Sequence, residues 1–253
     1  MTIPKVSDAS EVKEYARKNM PCVYPFRVDD SSDFSFDNLN EHISPKETFM
    51  VGVSTNGEFA MRGFGIRETP TCWDTFMTFQ DFVKAVRARD DTGRSYYMKR
   101  FMPTRMPPEI FDKIHFPAIV THRKRYDHFL ISHSDMVNVM HIDDCDNHVL
   151  QFYGTKKVWM IPPEHYKDMG LITSKYNDLY RRCKYRIGDP ITECNAPEYA
   201  ISCVLHPGEA LFIPFGWCHQ VDALSESVSI NIDEWVNHEQ GAVVDSMFKC
   251  MDT

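Results

Sequence analysis

The chain has 253 residues, of which 43% are hydrophobic, 25% are charged and 13% are aromatic. These are the proportions of a globular protein with a substantial core, and they exclude a disordered or low-complexity chain. The formal net charge of -8 argues against a protein whose whole surface binds nucleic acid or an anionic membrane, although it is compatible with a local basic patch.

The N-terminus and the cysteines bear on the cellular compartment. Residues 1–5 lack the apolar run of a signal peptide, and no apolar run reaches the roughly 18 residues that a membrane span needs. The eight cysteines are scattered singly, without a Cys-x-x-Cys pair, which argues against a cysteine zinc site and against a disulfide scaffold. We therefore expect reduced thiols, no membrane partner and a cytoplasmic or nuclear location.

The sequence pattern of the N-terminal half predicts helices that alternate with strands. Asp8 and Glu11 have the spacing of a capping box and precede an amphipathic run to Met20, which predicts a first helix. Asn56-Gly57 is a strong hairpin signal, so we expect the strands on either side of it to pair with each other. Further elements are expected as helices at 34–42 and 79–89 and as strands at 22–28, 48–54, 59–64 and 95–101.

From Phe129 onwards the sequence changes to short strands separated by turn residues. Strands are expected at 129–132, 136–142, 148–152, 157–161, 201–205, 210–213, 220–224 and 227–232. A polar insertion with short helices lies between Pro162 and Tyr199, and the segment 238–251 predicts a terminal helix. Many short strands at close spacing predict a mainly β sandwich or barrel with helices on its N- and C-terminal sides.

The stretch His141-Ile142-Asp143 is a candidate metal site. Side chains at positions i and i+2 of a strand point to the same face, so the histidine and the aspartate can address one point in space. His219 is the candidate third member. Two histidines and one carboxylate form the facial triad that binds non-haem Fe(II) and leaves coordination positions open. Asp144 and Asp146 compete with Asp143, but strand parity puts Asp144 on the opposite face and Asp146 lies further along the chain.

The next strand and turn carry polar residues that suit an anionic ligand. Asn147 and Gln151 share a strand parity, which favours either a polar ligand inside a barrel or a strand that faces solvent. Lys156 and Lys157 point to opposite faces, so only one of them can enter the barrel. A buried lysine needs an anion. On spacing alone, either lysine can equally be a solvated charge.

These residues belong to an ordered series that resembles the JmjC domain, a cupin-type fold of the Fe(II)- and 2-oxoglutarate-dependent oxygenases. The resemblance runs from about Phe129 to Trp235. The series is His141-Ile142-Asp143, Asn147, Gln151, Gly154-Thr155-Lys156, Trp159, Pro162-Pro163, Pro207-Gly208-Glu209, Ile213-Pro214, Trp217-Cys218-His219 and Ser229-Ile230-Asn231. Within the superfamily the chain looks most like the small JmjC hydroxylases, of the type of the asparaginyl hydroxylase that inhibits hypoxia-inducible factor and the tRNA wybutosine hydroxylase. The implied fold is mainly β, a double-stranded β-helix (jelly roll) with flanking N- and C-terminal helices.

The resemblance also implies roles for individual residues. His141, Asp143 and His219 would bind Fe(II), with 2-oxoglutarate as co-substrate and O2 as oxidant. Lys156 would pair with the distal carboxylate of 2-oxoglutarate, which selects it over Lys157. The co-substrate pocket would be lined by Asn147, Asn231, Asn138 and Tyr97. Asn138 departs from the threonine or other polar residue that relatives often have there, and Tyr97 is assigned from its strand position only.

Cys218 is a second departure, because an aromatic residue is common beside the distal histidine. Its thiol either lies near the iron or only fills space, and we favour the second interpretation.

The implied activity is hydroxylation of a protein side chain, coupled to oxidative decarboxylation of 2-oxoglutarate to succinate. Hydroxylation of a tRNA base is the alternative, and demethylation of lysine in a histone or another protein is a third. The interpretation from a different class is a non-catalytic metal-binding cupin, against which Lys156 argues. One domain is expected over 1–253, made of a preamble at 1–128, a cupin core at 129–235 and a C-terminal helix at 236–253.

Two features concern partners. The insertion is rich in basic residues interleaved with tyrosines, and a second basic cluster precedes the strands. These residues are Lys175, Tyr176, Tyr180, Arg181, Arg182, Lys184, Tyr185 and Arg186, and Arg123-Lys124-Arg125. Such a mixture suits phosphate contact and base stacking, and it equally suits a solvated helix face. The terminal helix either packs on the barrel or forms a homodimer contact.

Overall fold

The alternation of apolar and polar residues gives this chain many short strands. A computed structural model of the protein describes residues 1–59, 72–88, 93–120, 127–143, 145–173, 181–183, 186–188 and 195–234. The strands are β1 (Cys22–Pro25), β2 (Arg27–Val28), β3 (Thr48–Ser54), β4 (Glu58–Phe59), β5 (Cys72–Thr78), β6 (Ser95–Phe101), β7 (Ile114–His115), β8 (His128–Ser132), β9 (Val137–Ile142), β10 (Asp146–Tyr153), β11 (Lys156–Ile161), β12 (Leu171–Thr173), β13 (Arg181–Cys183), β14 (Ile201–Leu205), β15 (Glu209–Ile213), β16 (Cys218–Ala223) and β17 (Ser227–Glu234).

Short helices flank these strands. The α-helices are α1 (Val12–Arg17), α2 (Phe36–His42), α3 (Phe79–Arg87) and α4 (Pro108–Phe111), and 3-10 segments lie at Ala9–Glu11, Ser31–Phe34, Pro103–Arg105 and Pro163–Met169. The capping box of Asp8 and Glu11 forms as predicted, and Ser35 and Thr78 cap α2 and α3. In the described part of the chain, none of the helices has the length and apolarity to cross a membrane.

The C-terminal strands alternate between two sheets. One sheet has the order β1-β15-β10-β17-β8-β6-β3-β5, and the other has the order β12-β13-β9-β16-β11-β14. Along the chain, β8, β10, β15 and β17 therefore belong to the first sheet, and β9, β11, β14 and β16 belong to the second. This alternation is the winding of a jelly roll. The predicted mainly β double-stranded β-helix is confirmed.

The two faces of the first sheet bury different kinds of residues. Its outer face packs on the helices through an aromatic core that includes Phe34, Phe36, Phe79, Phe101 and Phe152. Each fully buried side chain of this size stabilises the fold by about 1.5–3 kcal/mol. Its inner face meets the second sheet in a smaller apolar cluster that includes Val149, Val158 and Leu211. The polar residues of the candidate site share this inner space.

The predicted hairpin at Asn56-Gly57 is wrong, although the turn itself forms. Gly57 has a φ of +77°, and Asn56 accepts hydrogen bonds from the Ser54 hydroxyl and the Glu58 N–H group. However, β4 pairs in parallel with β9, while β3 pairs with β5 and β6. Both hydrogen-bonding edges of β3 are thus occupied, so β4 crosses to the other sheet. The predicted remainder of β4, from residue 60 to 64, lies outside the described residues.

Other boundaries also differ from expectation. The predicted strand at 22–28 is two strands, β1 and β2, because β1 pairs with β15 and β2 pairs with β7. The strand β5 was not predicted. The insertion contributes β12 and β13 as well as a 3-10 segment, and β13 extends the second sheet by pairing with β9. The predicted terminal helix at 238–251 lies outside the described residues.

Candidate metal centre

The sheet register brings the two candidate histidines together. His141 on β9 and His219 on β16 are direct cross-strand partners, and their ring centroids lie 4.1 Å apart. Asp143 follows the end of β9, and its two oxygens lie 3.5 Å from Nε2 of His141 and 3.4 Å from Nε2 of His219. One ligand atom from each of the three residues lies within 4.8 Å of the others. The geometry therefore suits a single metal ion.

Backbone carbonyl groups fix the orientation of both imidazoles. Nδ1 of His141 donates to the Val139 carbonyl at 2.8 Å, and Nδ1 of His219 donates to the Trp217 carbonyl at 3.2 Å. A neutral imidazole that is protonated at Nδ1 carries its lone pair on Nε2. Both Nε2 atoms face the Asp143 carboxylate, so each ring presents a lone pair where a metal would be held.

A chain of amide groups holds the third candidate ligand. Nδ2 of Asn147 donates to Oδ2 of Asp143 at 2.6 Å. Nδ2 of Asn231 donates to Oδ1 of Asn147 at 3.2 Å and to Oδ1 of Asp233 at 2.6 Å. The predicted pocket residues Asn147 and Asn231 therefore lie on the metal side of the inner space. There they orient the Asp143 carboxylate, as hydrogen-bonded partners of metal ligands commonly do.

Lys156 enters the barrel and Lys157 does not. This agrees with strand parity, which allows only one of two neighbouring residues to face inward. Lys156 is 1% exposed, and its Nζ donates to the Ser229 hydroxyl at 2.6 Å and to the Leu130 carbonyl at 3.4 Å. Burial lowers the pKa of Lys156 to about 7. Among the residues with described positions, no carboxylate pairs with it. Lys157 lies on the outer face, with its Nζ 3.9 Å from the centroid of a Trp159 ring.

Asn138 and Tyr97 adjoin residues that pack between the sheets. Regular alternation would put Asn138 and His141 on opposite faces, but the register of β9 and β16 shifts between them. Asn138 is consequently the cross-strand partner of Val221, which packs in the inner apolar cluster. Tyr97 is 3% exposed and packs in a cluster with Phe59, Met136 and Ala223, the last being the cross-strand partner of Lys156. Their predicted contact with a co-substrate stays a prediction.

Ser229, which belongs to the Ser229-Ile230-Asn231 motif of the resemblance, is the acceptor for the Lys156 ammonium. The sequence signal was its parity with Asn231 on the same strand. Gln151 faces the same region, because it is the cross-strand partner of Ser229.

Cys218 points away from the metal side. It is 0% exposed and packs in an outer-face cluster with Met140 and Ile161. Its Sγ lies 2.9 Å from Sγ of Cys183 on β13. This placement supports the space-filling interpretation of the residue.

The basic insertion is described only in part. Arg186 forms an ion pair with Glu58 at 2.8 Å, and the backbone of Arg182 pairs with that of His141. Five further residues of the interleaved set and the whole second basic cluster lie outside the described part of the chain. They are Lys175, Tyr176, Tyr180, Lys184, Tyr185 and Arg123-Lys124-Arg125.

The fold and the triad together define a jelly-roll protein with two histidines and one carboxylate between its sheets. The sequence profile of the cupin-like domain family matches residues 11–240. The tRNA wybutosine-synthesizing protein 5 of Danio rerio is 26% identical over 233 residues, which cover 84% of this chain and 64% of that protein. The arginine-specific demethylase JMJ20 of Arabidopsis thaliana is 33% identical over 88 residues, 32% of this chain and 17% of that protein.

The chain belongs to the cupin-like domain family and is of the JmjC type. It spans less than two thirds of the length of each of these two relatives.

Proposed function

We propose that this protein is an Fe(II)- and 2-oxoglutarate-dependent dioxygenase that hydroxylates a protein side chain. One observation carries the proposal. The space between the sheets holds both a triad that suits a divalent metal and a buried lysine with no described anionic partner. A ligand that chelates a metal at one end and carries a carboxylate at the other satisfies both needs.

The donor set fits iron. Neutral imidazole nitrogens and a carboxylate leave open positions on a non-haem Fe(II) centre, whereas a structural zinc site would be closed by four protein ligands. When bound, such a centre supplies the oxidation of 2-oxoglutarate by O2 to succinate and carbon dioxide, with hydroxylation of a substrate C–H bond.

The residues of the chain would bind, orient and shield the reactants. His141, Asp143 and His219 would hold the metal on one side of the inner space. Lys156 would bind the distal carboxylate of 2-oxoglutarate, with Ser229 holding its ammonium in place at 2.6 Å. Because a carboxylate beside an ammonium favours the charged form, binding would raise the pKa of Lys156 and draw a proton onto it.

A protein side chain is the preferred substrate because the net charge of -8 disfavours a polyanionic partner. Hydroxylation of a tRNA base is the second candidate. It is supported by the similarity to the Danio rerio tRNA wybutosine-synthesizing protein 5, because that alignment covers 84% of this chain. Demethylation proceeds through the same kind of hydroxylation at an N-methyl group, and the name of the Arabidopsis thaliana relative favours it over a shorter stretch.

Turnover of 2-oxoglutarate tests the activity. Purified protein supplied with Fe(II), 2-oxoglutarate and ascorbate should form succinate, slowly even without the prime substrate, and His141→Ala should form none. His206→Ala is the matched control because His206 is exposed. Protein that holds iron yet forms no succinate with any candidate substrate would instead support a non-catalytic metal-binding cupin. A steep loss of substrate affinity with salt would favour the tRNA candidate.

A further inference from the structure

The strand that leads to Lys156 contains a bulge. The pairing of β10 with β17 shifts register between Gln151 and Tyr153. A bulge leaves backbone groups without their ladder partners, and buried carbonyl groups need a donor. Here the side chain of Gln151 supplies the donor, because its Nε2 donates to the Tyr153 carbonyl at 2.6 Å and to the Gly154 carbonyl at 3.1 Å. The amide therefore ties the bulge to the turn that follows.

The turn has little freedom to adjust. Gly154 has a φ of +68°, and a Cβ atom on it would lie 1.8 Å from the Glu226 carbonyl oxygen, so only glycine fits. The Thr155 N–H group donates to the Ser225 hydroxyl at 2.9 Å, and the Thr155 carbonyl accepts from Leu224 at 3.0 Å. Lys156 follows directly as the first residue of β11. The position of its backbone is thus set by a turn that Gln151 helps to hold.

The carbonyl end of the same amide has no partner among the described residues. Gln151 is 0% exposed, and its Oε1 accepts no hydrogen bond from any residue whose position is described. A buried acceptor left in this state destabilises the folded protein. Its cross-strand neighbour Ser229 is the residue that accepts from Lys156.

The chemistry of the region limits what Oε1 can bind. The Lys156 ammonium has three hydrogens, two of which reach Ser229 and the Leu130 carbonyl. A carboxylate ligand offers only acceptors, so Oε1 cannot bond to it directly. The remaining ammonium hydrogen, reached through one water molecule, is the donor that suits this acceptor.

We propose that Gln151 is a positioning residue for Lys156. Its amide nitrogen fixes the turn from which Lys156 starts, and its carbonyl oxygen accepts the remaining hydrogen of the ammonium through one bridging water molecule and so favours the protonated lysine. This inference rests on the proposed function for the identity of the ligand, and it adds a residue that sets how tightly and over which pH range a dicarboxylate binds.

Two substitutions separate the two ends of the amide. Gln151→Met keeps the length of the side chain and removes both hydrogen-bonding groups. We expect it to raise the KM for 2-oxoglutarate by about tenfold, the effect of one lost hydrogen bond to a charged group, and to change kcat by less than about threefold. Gln151→Glu keeps an acceptor beside Lys156 and adds a negative charge, but it cannot donate to the two carbonyls.

The pH profile distinguishes positioning from general damage to the fold. The pH at which affinity for 2-oxoglutarate is half lost should fall in Gln151→Met and rise in Gln151→Glu. Gln220→Met is the matched control, because Gln220 is a buried glutamine whose amide bonds the backbone of Ile187 on the outer face. It should leave that pH midpoint unchanged even if it lowers stability. Equal midpoints in all four proteins would overturn the assignment of the carbonyl oxygen.

Hydrogen exchange tests the turn without any ligand. In protein free of 2-oxoglutarate, the backbone amides of residues 155–157 should exchange faster in Gln151→Met than in wild type, and those of residues 48–54, which pair with β5 and β6, should not. If wild-type protein binds no 2-oxoglutarate, the proposed function fails, and exchange alone then decides. Faster exchange in the turn supports the positioning role, and unchanged exchange overturns it.

Discussion

The two sides of the barrel interior are built on opposite principles. On the metal side, His141 and His219 are oriented by backbone carbonyls, and Asp143 is held by Asn147, so the imidazole lone pairs and the carboxylate converge on one point. On the lysine side, a single cation is buried against a hydroxyl and a carbonyl, with no anion in the described structure. The metal side is suited to binding a cation, and the lysine side is suited to binding an anion. A metal-chelating dicarboxylate supplies both, which is why these two regions are best understood as one site.

The largest expected effect is the loss of the metal. His219→Ala removes one of three ligands, so we expect metal affinity to fall by more than about 100-fold, beyond the effect of losing an outer hydrogen-bonded partner. Metal content after dialysis, measured by elemental analysis, checks this. Retention of one equivalent of iron by the variant, as in the exposed-residue control His206→Ala, would contradict the triad.

Lys156→Met tests the other side and should separate binding from stability. Removing the cation should weaken 2-oxoglutarate binding by about 100-fold, since charge-assisted bonds to the carboxylate are lost. The same change should stabilise the ligand-free protein by about 1–3 kcal/mol, because a buried charge without a counter-ion is removed. Calorimetric titration and urea unfolding measure the two effects. Lys157→Met is the matched control, since Lys157 lies on the outer face over Trp159.

Asn147→Leu should weaken the metal side without removing a ligand. Loss of the 2.6 Å hydrogen bond to Asp143 should lower metal affinity by about 10–100-fold. Asn231→Ala should have a smaller effect, because Asn231 reaches the carboxylate only through Asn147. Metal titrations of both variants give the ranking, and the reverse order would contradict this chain of hydrogen bonds.

The lysine side also predicts how stability depends on pH. The folded pKa of Lys156, about 7, is below the unfolded value of 10.5. Between these values the unfolded chain binds more protons, so the free energy of unfolding of the ligand-free protein should increase with pH, by at most about 1.4 kcal/mol per pH unit. The destabilisation caused by burying the charged Lys156 is fully present below pH 7. Urea unfolding at pH 7 and pH 9 measures it, and Lys156→Met should lack this component of the slope.

The same shift predicts weaker co-substrate binding in alkali. Above about pH 7 the ligand-free lysine must take up a proton to meet a carboxylate, so affinity should fall by up to about tenfold per pH unit. A flat affinity profile from pH 7 to pH 9 would show that Lys156 stays charged in the free protein.

Cys218→Ala should have the smallest effect on the site. The thiol packs on the outer face beside Cys183, so metal affinity should change by less than about threefold. The small cavity should cost about 1 kcal/mol of stability. Metal titration and urea unfolding check both, and a large loss of metal affinity would place this residue in the site.

Local sequence patterns were sufficient for the strands of the jelly roll but not for their partners. The strand from Ile201 to Leu205 matches its prediction at both ends, because it is an uninterrupted run bounded by turn residues. The hairpin prediction at Asn56-Gly57 was wrong because a turn motif predicts only that the chain reverses direction. It does not predict which strand has an unpaired edge. The pairing of β13 with β9 was not predicted because a three-residue strand is too short to show a recognisable pattern.

The grouping of the candidate site residues could be predicted from strand parity, with one physical limit. Parity along single strands was enough to group His141 with Asp143 and to separate Lys156 from Lys157. It could not place Asn138 on the inner face, because a bulge in β9 reverses the alternation there. It also could not reveal that the Gln151 amide bonds its own turn, which depends on a register shift that only the folded sheet shows.

The most direct test of the central claim is a calorimetric titration of 2-oxoglutarate into protein loaded with Mn(II), a divalent ion that suits the same ligands without consuming O2. The account predicts one binding site in wild type and in Lys157→Met, with binding weakened by about 100-fold in Lys156→Met and lost in wild type without metal. Equal affinity in all four samples would contradict it, because the two sides of the interior would then not act on one ligand.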